Sequence, residues 1–175
     1  MSIVFSGNEL IDIAIGIEKQ GIVFYDVMAR STEQPIARDL FIHLAEAERD
    51  HAETFRSMLS AVEKYTPPED KIREYGDYVN ALVKNAVFTD EMATNELATH
   101  LDSEIEAVDI GISAEKDSIL FYYYMKEVLP QAGLSVLDKI LNEEKQHLSQ
   151  LNELKKNLLG VEKDLLMRSK LHDFL

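Results

Sequence analysis

Glu18 stands where a core residue belongs. Through ELIDIAIGIEKQGIVFYDVMA the apolar residues recur three and four apart, and Ile11, Ile15, Ile22 and Tyr25 share one helical stripe with Glu18. Burying a bare carboxylate costs on the order of several kcal/mol, so the position needs a reason. The same exception recurs in the second half of the chain. IGIEKQGIVFY (15–25) aligns with ISAEKDSILFY (112–122) at an offset of 97, which pairs Glu18 with Glu115, Lys19 with Lys116, Ile22 with Ile119, and Phe24-Tyr25 with Phe121-Tyr122. A little upstream Asp12 meets Asp109. A second segment repeats at an offset of 96: LAEAERDHAETF (44–55) matches ILNEEKQHLSQL (140–151), so Glu48 meets Glu144 and His51 meets His147. Each half therefore carries a lone glutamate on an apolar stripe and, further along, a Glu-x-x-His.

Helix geometry turns this pattern into a site. Residues three apart lie about 60° apart around the axis, nearly one above the other. Glu48 and His51 point the same way, and Leu44 and Phe55 extend their stripe; Ile140 and Leu151 do the same for Glu144 and His147. Four helices thus aim acidic or imidazole groups at their own apolar faces. Four carboxylates packed together in a core would repel one another and take up protons. Two divalent cations cancel the four negative charges, and one neutral imidazole completes each position. This donor set is the template of di-iron carboxylate bundles, a glutamate from each of two helices and Glu-x-x-His from the other two. Mixed carboxylate and imidazole donors without thiolate favour iron, with manganese the second choice, over magnesium, calcium or structural zinc. Of the five histidines only His51 and His147 follow a glutamate by three; His43, His100 and His172 lie outside the repeat and read as ordinary. Glu46, Glu53, Glu143 and Glu153 read as solvated charges.

The helices can be bounded from their punctuation. Ser6 and Glu9 have capping-box spacing, as do Ser103 and Glu106. Pro35 suits a first turn, Pro67-Pro68 and Pro130 follow helix ends, and Gly160 is placed to act as a C-terminal cap. The expected core helices span about 7–31, 35–64, 103–128 and 133–159, with a helical crossover over 65–102 between the second and third and a short tail helix over 161–172. With few Gly and Pro and no strand-type alternation, the 175 residues read as one all-α domain, a four-helix bundle with a long crossover.

Composition excludes several functions. A net charge of −14 disfavours nucleic acid and anionic membranes, and otherwise serves solubility. The sequence has no cysteine, so disulfides, thiol catalysis and thiolate-held iron are out. The N-terminal MSIVFSGNEL lacks the basic region and apolar length of a signal peptide, and no apolar run is long enough to span a bilayer. A cytoplasmic setting is the expectation.

In order, EKQGIVFY, ERDH, EKDSILFY and EKQH resemble the four motif segments of the rubrerythrin branch of the ferritin-like superfamily, over roughly residues 7–64 and 103–159. The resemblance implies a ferritin-like bundle with a bridged di-iron centre held by Glu18, Glu48, His51, Glu115, Glu144 and His147. It further implies reduction of hydrogen peroxide or oxidation of Fe²⁺ by O₂, a homodimer, and a separate electron donor of rubredoxin type. Two departures stand out. Rubrerythrins proper carry a cysteine-bound rubredoxin domain, which this sequence cannot form. They also have a further glutamate three residues after the third-helix ligand, where Ser118 stands here.

Tyr25 and Tyr122 lie seven residues after the stripe glutamates, two turns on. They either fill the core or donate a hydrogen bond to a ligand carboxylate or bound oxidant. Asp12 and Asp109 either orient a ligand histidine or serve at the surface. Gly21 and Ser118, one turn past the stripe glutamates, leave space for a small oxidant or let helices approach. Two rival functions remain open: ferritin-type iron storage or ferroxidase activity, and a non-enzymatic bundle that binds a partner around a structural metal pair.

Overall fold

Ser6 starts the first helix. Its hydroxyl accepts from Glu9 N–H (3.3 Å) while its own N–H donates to Glu9 Oε2 (2.7 Å), so two otherwise orphaned donors are satisfied reciprocally. The computed structural model describes residues 5–62, 65–68, 70–71, 81, 101 and 103–172. Helix α1 spans Gly7–Ser31 and α2 spans Pro35–Val62. Helix α3 spans Glu104–Val128 and α4 spans Gln131–His172. Ser103 caps α3 by accepting from Glu106 N–H at 3.2 Å. No strand occurs among the described residues. The expected crossover over 65–102 lies largely outside them. None of the described helices is long and apolar enough to cross a membrane.

The four helices form two hairpins, α1 with α2 and α3 with α4, packed on each other as a bundle. The hairpin connections are short: residues 32–34 in the first, Leu129 and Pro130 in the second. Thr32 donates to the Glu104 carboxylate, which ties the first turn to the start of α3. Arg49 reaches Asp26 at 2.5 Å between α2 and α1.

Helix α4 differs from the expectation. Gly160 does not end it; the helix continues to His172, and the separate tail helix over 161–172 is its last part. A terminating glycine usually takes a positive φ, and none of the described glycines does. Gly160 is an exposed interior helical residue where an added Cβ would meet nothing within 4 Å. An isolated glycine costs about 1 kcal/mol relative to alanine there, too little to break a helix with good formers after it.

The core divides into two apolar clusters. One holds the N-terminal part of α1 (Leu10, Ile11) with Phe55, Phe121, Met125 and Leu137. The other holds the C-terminal part of α1 (Phe24, Met28) with Phe41, Leu44, Val108 and Leu151. The start of α1 therefore packs beside the end of α3, so these two helices run antiparallel. Between the clusters lies the layer that contains Glu18 and its counterparts.

Leu137 is fully buried and lies at the start of α4, away from that layer. Leu137→Ala should cost about 2–5 kcal/mol in urea unfolding of the metal-free chain. Ile36→Ala, at a position 69% exposed, should stay within about 0.5 kcal/mol.

Candidate metal centre

Each helix contributes to the middle layer through the stripe that also builds the core. Helix α1 supplies Glu18, α2 supplies Glu48 and His51, α3 supplies Glu115, and α4 supplies Glu144 and His147. All six are buried, none more than 5% exposed. They converge in two sets. Glu18, Glu48, His51 and Glu144 each bring a donor atom within 4.8 Å of the others, and so do Glu48, Glu115, Glu144 and His147. Glu48 and Glu144 belong to both sets. Each half of the chain thus provides one glutamate and one histidine to its own position and one glutamate shared with the other.

Both imidazoles turn Nδ1 inward. His51 Nδ1 lies 3.0 Å from Glu144, 3.3 Å from Glu48 and 3.7 Å from Glu18. His147 Nδ1 lies 3.2 Å from Glu144 and 3.9 Å from Glu115. The rings stack at 5.7 Å. Close as they are, these groups leave two buried oxygens without a hydrogen bond of proper geometry: Glu144 Oε1, although His51 Nδ1 lies 3.0 Å away, and Glu115 Oε2. Orphaned carboxylate oxygens facing inward imidazole nitrogens in a dry core are a donor set that a divalent cation fits.

Two tyrosines close the layer from above and below, and they cross between halves. Tyr25 of α1 donates to Glu115 Oε1 of α3 at 2.5 Å. Tyr122 of α3 donates to Glu18 Oε1 of α1. Seven residues are about 10.5 Å of helix, too far for either phenol to reach the glutamate of its own helix, and the antiparallel arrangement supplies the other one. Both rings also belong to the apolar clusters, so core filling and hydrogen bonding coincide.

A rubrerythrin family model matches residues 9–155. The chain belongs to the rubrerythrin family. Its structure also resembles that of a Thermotoga maritima protein described as a ferritin-like diiron-carboxylate protein. The two are 29% identical, the match covers 87% of this chain and 96% of that one, and the TM-score is 0.66. No curated protein sequence matches the chain significantly.

Of the two roles open to Asp12 and Asp109, this rubrerythrin-family chain shows the surface one, and neither orients a histidine; Glu143 and His43 depart from the sequence reading. Asp12 is exposed, and Asp109 holds Lys155 Nζ at 2.5 and 2.7 Å. Glu143, read as a solvated charge, instead accepts from His51 Nε2–H at 2.9 Å. His43, read as ordinary, sets its ring edge-on to His147, 6.2 Å between centroids. Gly21 makes room for a shared carboxylate: a Cβ there would come within 3.3 Å of Glu48 Cγ. Ser118, at the matching place in α3, is buried. A cleft of about 380 Å³ between α2 and α4 reaches both histidines past Glu46, Asp50 and Glu143.

Crowding shifts the proton affinities. Burial, then the charges of Glu18 and Glu144, pushes Glu48 well above the ordinary value of 4.5. Burial, then Glu144 and Glu48, does the same to Glu115. Burial opposes charge on His51, but the pull of Glu144, Glu18 and Glu48 outweighs it and raises the imidazole above 6.5. Glu144 moves down, because His147 and His51 more than offset its burial. Burial and the facing glutamate push both Tyr25 and Tyr122 well up, so both phenols stay protonated donors.

The sign of the pH dependence follows. The unfolded chain sheds its glutamate protons near pH 4.3, while the folded, metal-free chain keeps those of Glu48 and Glu115 to higher pH. Chelator-treated protein should lose stability as pH rises from about 5 to 8, with His51 adding to the loss above its ordinary value. Divalent cations should displace these protons and flatten the decline, releasing at least one proton per chain on loading at neutral pH. Urea melts across pH, and calorimetry in buffers of different ionisation enthalpy, measure both effects.

Proposed function

We propose that this chain is a non-haem di-iron oxidoreductase that reacts with hydrogen peroxide or dioxygen. The observation that carries the reading is the sharing of Glu48 and Glu144 between two donor sets. Two cations bound there would be linked through common ligands, which suits a two-electron reaction. The four glutamates balance two divalent ions, and the orphaned oxygens of Glu144 and Glu115 are the atoms a cation would satisfy. When bound, two ferrous ions supply one electron each, and with two protons these reduce one H₂O₂ to two waters.

The chain's own residues set the conditions for that chemistry. Tyr25 and Tyr122 hold the outer oxygens of Glu115 and Glu18 in place. The apolar clusters keep bulk water from both ends of the layer. Approach is left to the cleft beside the histidines, where a small, uncharged oxidant fits and the acidic lining attracts cations. These 175 residues have no cysteine to carry an electron, so we assign the return of electrons to a separate donor of rubredoxin type. A cytoplasmic homodimer is part of the same proposal.

The acidic cleft also favours a second reading, a ferroxidase or ferritin-type store in which Fe²⁺ is the substrate. Gel filtration discriminates: a dimer supports the oxidoreductase, a large hollow assembly the store.

The test is anaerobic reconstitution with Fe²⁺ followed by stopped-flow mixing with H₂O₂ or O₂. Wild-type protein should take up two irons per chain and oxidise both in one fast phase. Glu144→Ala should lose that phase, because a shared ligand is gone. Tyr122→Phe should keep the iron and slow oxidation by roughly 10–100-fold, as expected for lost support of a ligand. Wild-type protein that binds iron without fast oxidation would support a structural metal pair instead.

A further inference from the structure

The two halves of the centre are built from one repeat, and one of the places where they differ faces the outer edge of a ligand histidine. The offset of 96 that pairs Glu48 with Glu144 and His51 with His147 also pairs Ala47 with Glu143. The outer edge of His51 therefore meets a carboxylate, Glu143 Oε2, 2.9 Å from Nε2. The outer edge of His147 faces the half where the corresponding residue is alanine. No carboxylate among the described residues lies within ion-pair distance of His147 Nε2, and the His43 ring stands edge-on to the His147 ring, 6.2 Å between centroids. Glu143 is itself braced: its Oε1 lies 3.6 Å from Lys139 Nζ, one turn back on α4. Ala47 and Glu143 both line the cleft between α2 and α4.

We propose that Glu143 is a positioning residue that makes the two metal positions inequivalent, so that the position of Glu18 and His51 fills before that of Glu115 and His147. A carboxylate accepting from Nε2–H fixes the His51 tautomer with its lone pair on Nδ1, toward the donor set. It also holds the ring against rotation and increases electron donation from Nδ1. His147 has no such support. The loss of an outer partner of this kind typically weakens metal binding by about 10–100-fold, which sets the expected gap between the two positions. An ordered filling would let the cleft deliver cations one at a time without both ions competing for the shared glutamates. The inference rests on the six side chains holding a pair of cations.

The test reads binding rather than turnover. Metal-free full-length protein is titrated with Co²⁺ by calorimetry and with Mn²⁺ by electron paramagnetic resonance. Wild type should show two phases about 10–100-fold apart, and one equivalent of Mn²⁺ should give an isolated six-line signal that couples only on the second addition. Glu143→Ala should weaken the tight phase alone and bring the phases together. Glu143→Gln loses the same charge but keeps an acceptor oxygen, so its tight phase should fall between wild type and Glu143→Ala. Ala47→Glu, which gives His147 a carboxylate neighbour, should tighten the weak phase. A general electrostatic role would make Gln and Ala equivalent and weaken both phases alike, and that result would overturn the inference. So would two equal phases in wild type. Protein that binds neither cation would end the metal-pair reading itself, a separate failure.

Discussion

Four carboxylates in one dry layer are the constraint on which the rest of the molecule depends. Apolar clusters above and below remove the water that would otherwise screen them, and the helices that carry them cannot part without exposing those clusters. Repulsion among Glu18, Glu48, Glu115 and Glu144 must be met by something positive. Protons meet it partly: Glu48 and Glu115 are driven up and His51 holds charge. Two divalent cations would meet it fully and would also satisfy Glu144 Oε1 and Glu115 Oε2, which make no hydrogen bond of proper geometry. The charge count, the burial and the orphaned atoms all point to one arrangement.

Duplication explains how such a layer can be assembled without an irregular backbone. Each half brings a glutamate, a second glutamate and a histidine on regular helices, and antiparallel packing makes the halves complete one another. The tyrosines show this most directly, since each donates to the stripe glutamate of the other half. Two of the places where the repeat has diverged are at the site. Gly21 leaves room for Glu48 where α3 has a buried Ser118, and Glu143 supports one histidine where Ala47 stands for the other.

Much of this was legible in the sequence because the site is written on helical faces. The period that places Leu44 and Phe55 inward places Glu48 and His51 inward as well, and capping residues mark where α1 and α3 begin. What stayed hidden depends on relations between helices. No spacing tells that Glu48 and Glu144 are the shared pair, or that the tyrosines cross. Glu143 looked like any charged neighbour of a ligand, yet its place opposite Ala47 in the repeat was a usable sign of asymmetry. His43 carried no such sign, because its relation to His147 is made only across the α2–α4 cleft. Gly160 misled because a glycine after a periodic segment often caps a helix, whereas here it is one exposed residue within α4. The 65–102 segment read as a helical crossover, an expectation that lies largely outside the described residues.

The central claim is that Glu48 and Glu144 each serve two cation positions. Anomalous diffraction at the iron edge from crystals grown of iron-loaded protein tests it most directly. Two peaks per chain are expected, both contacted by Glu48 and Glu144, one by Glu18 and His51 and the other by Glu115 and His147. A single peak, or two peaks that do not have these glutamates in common, would contradict the account.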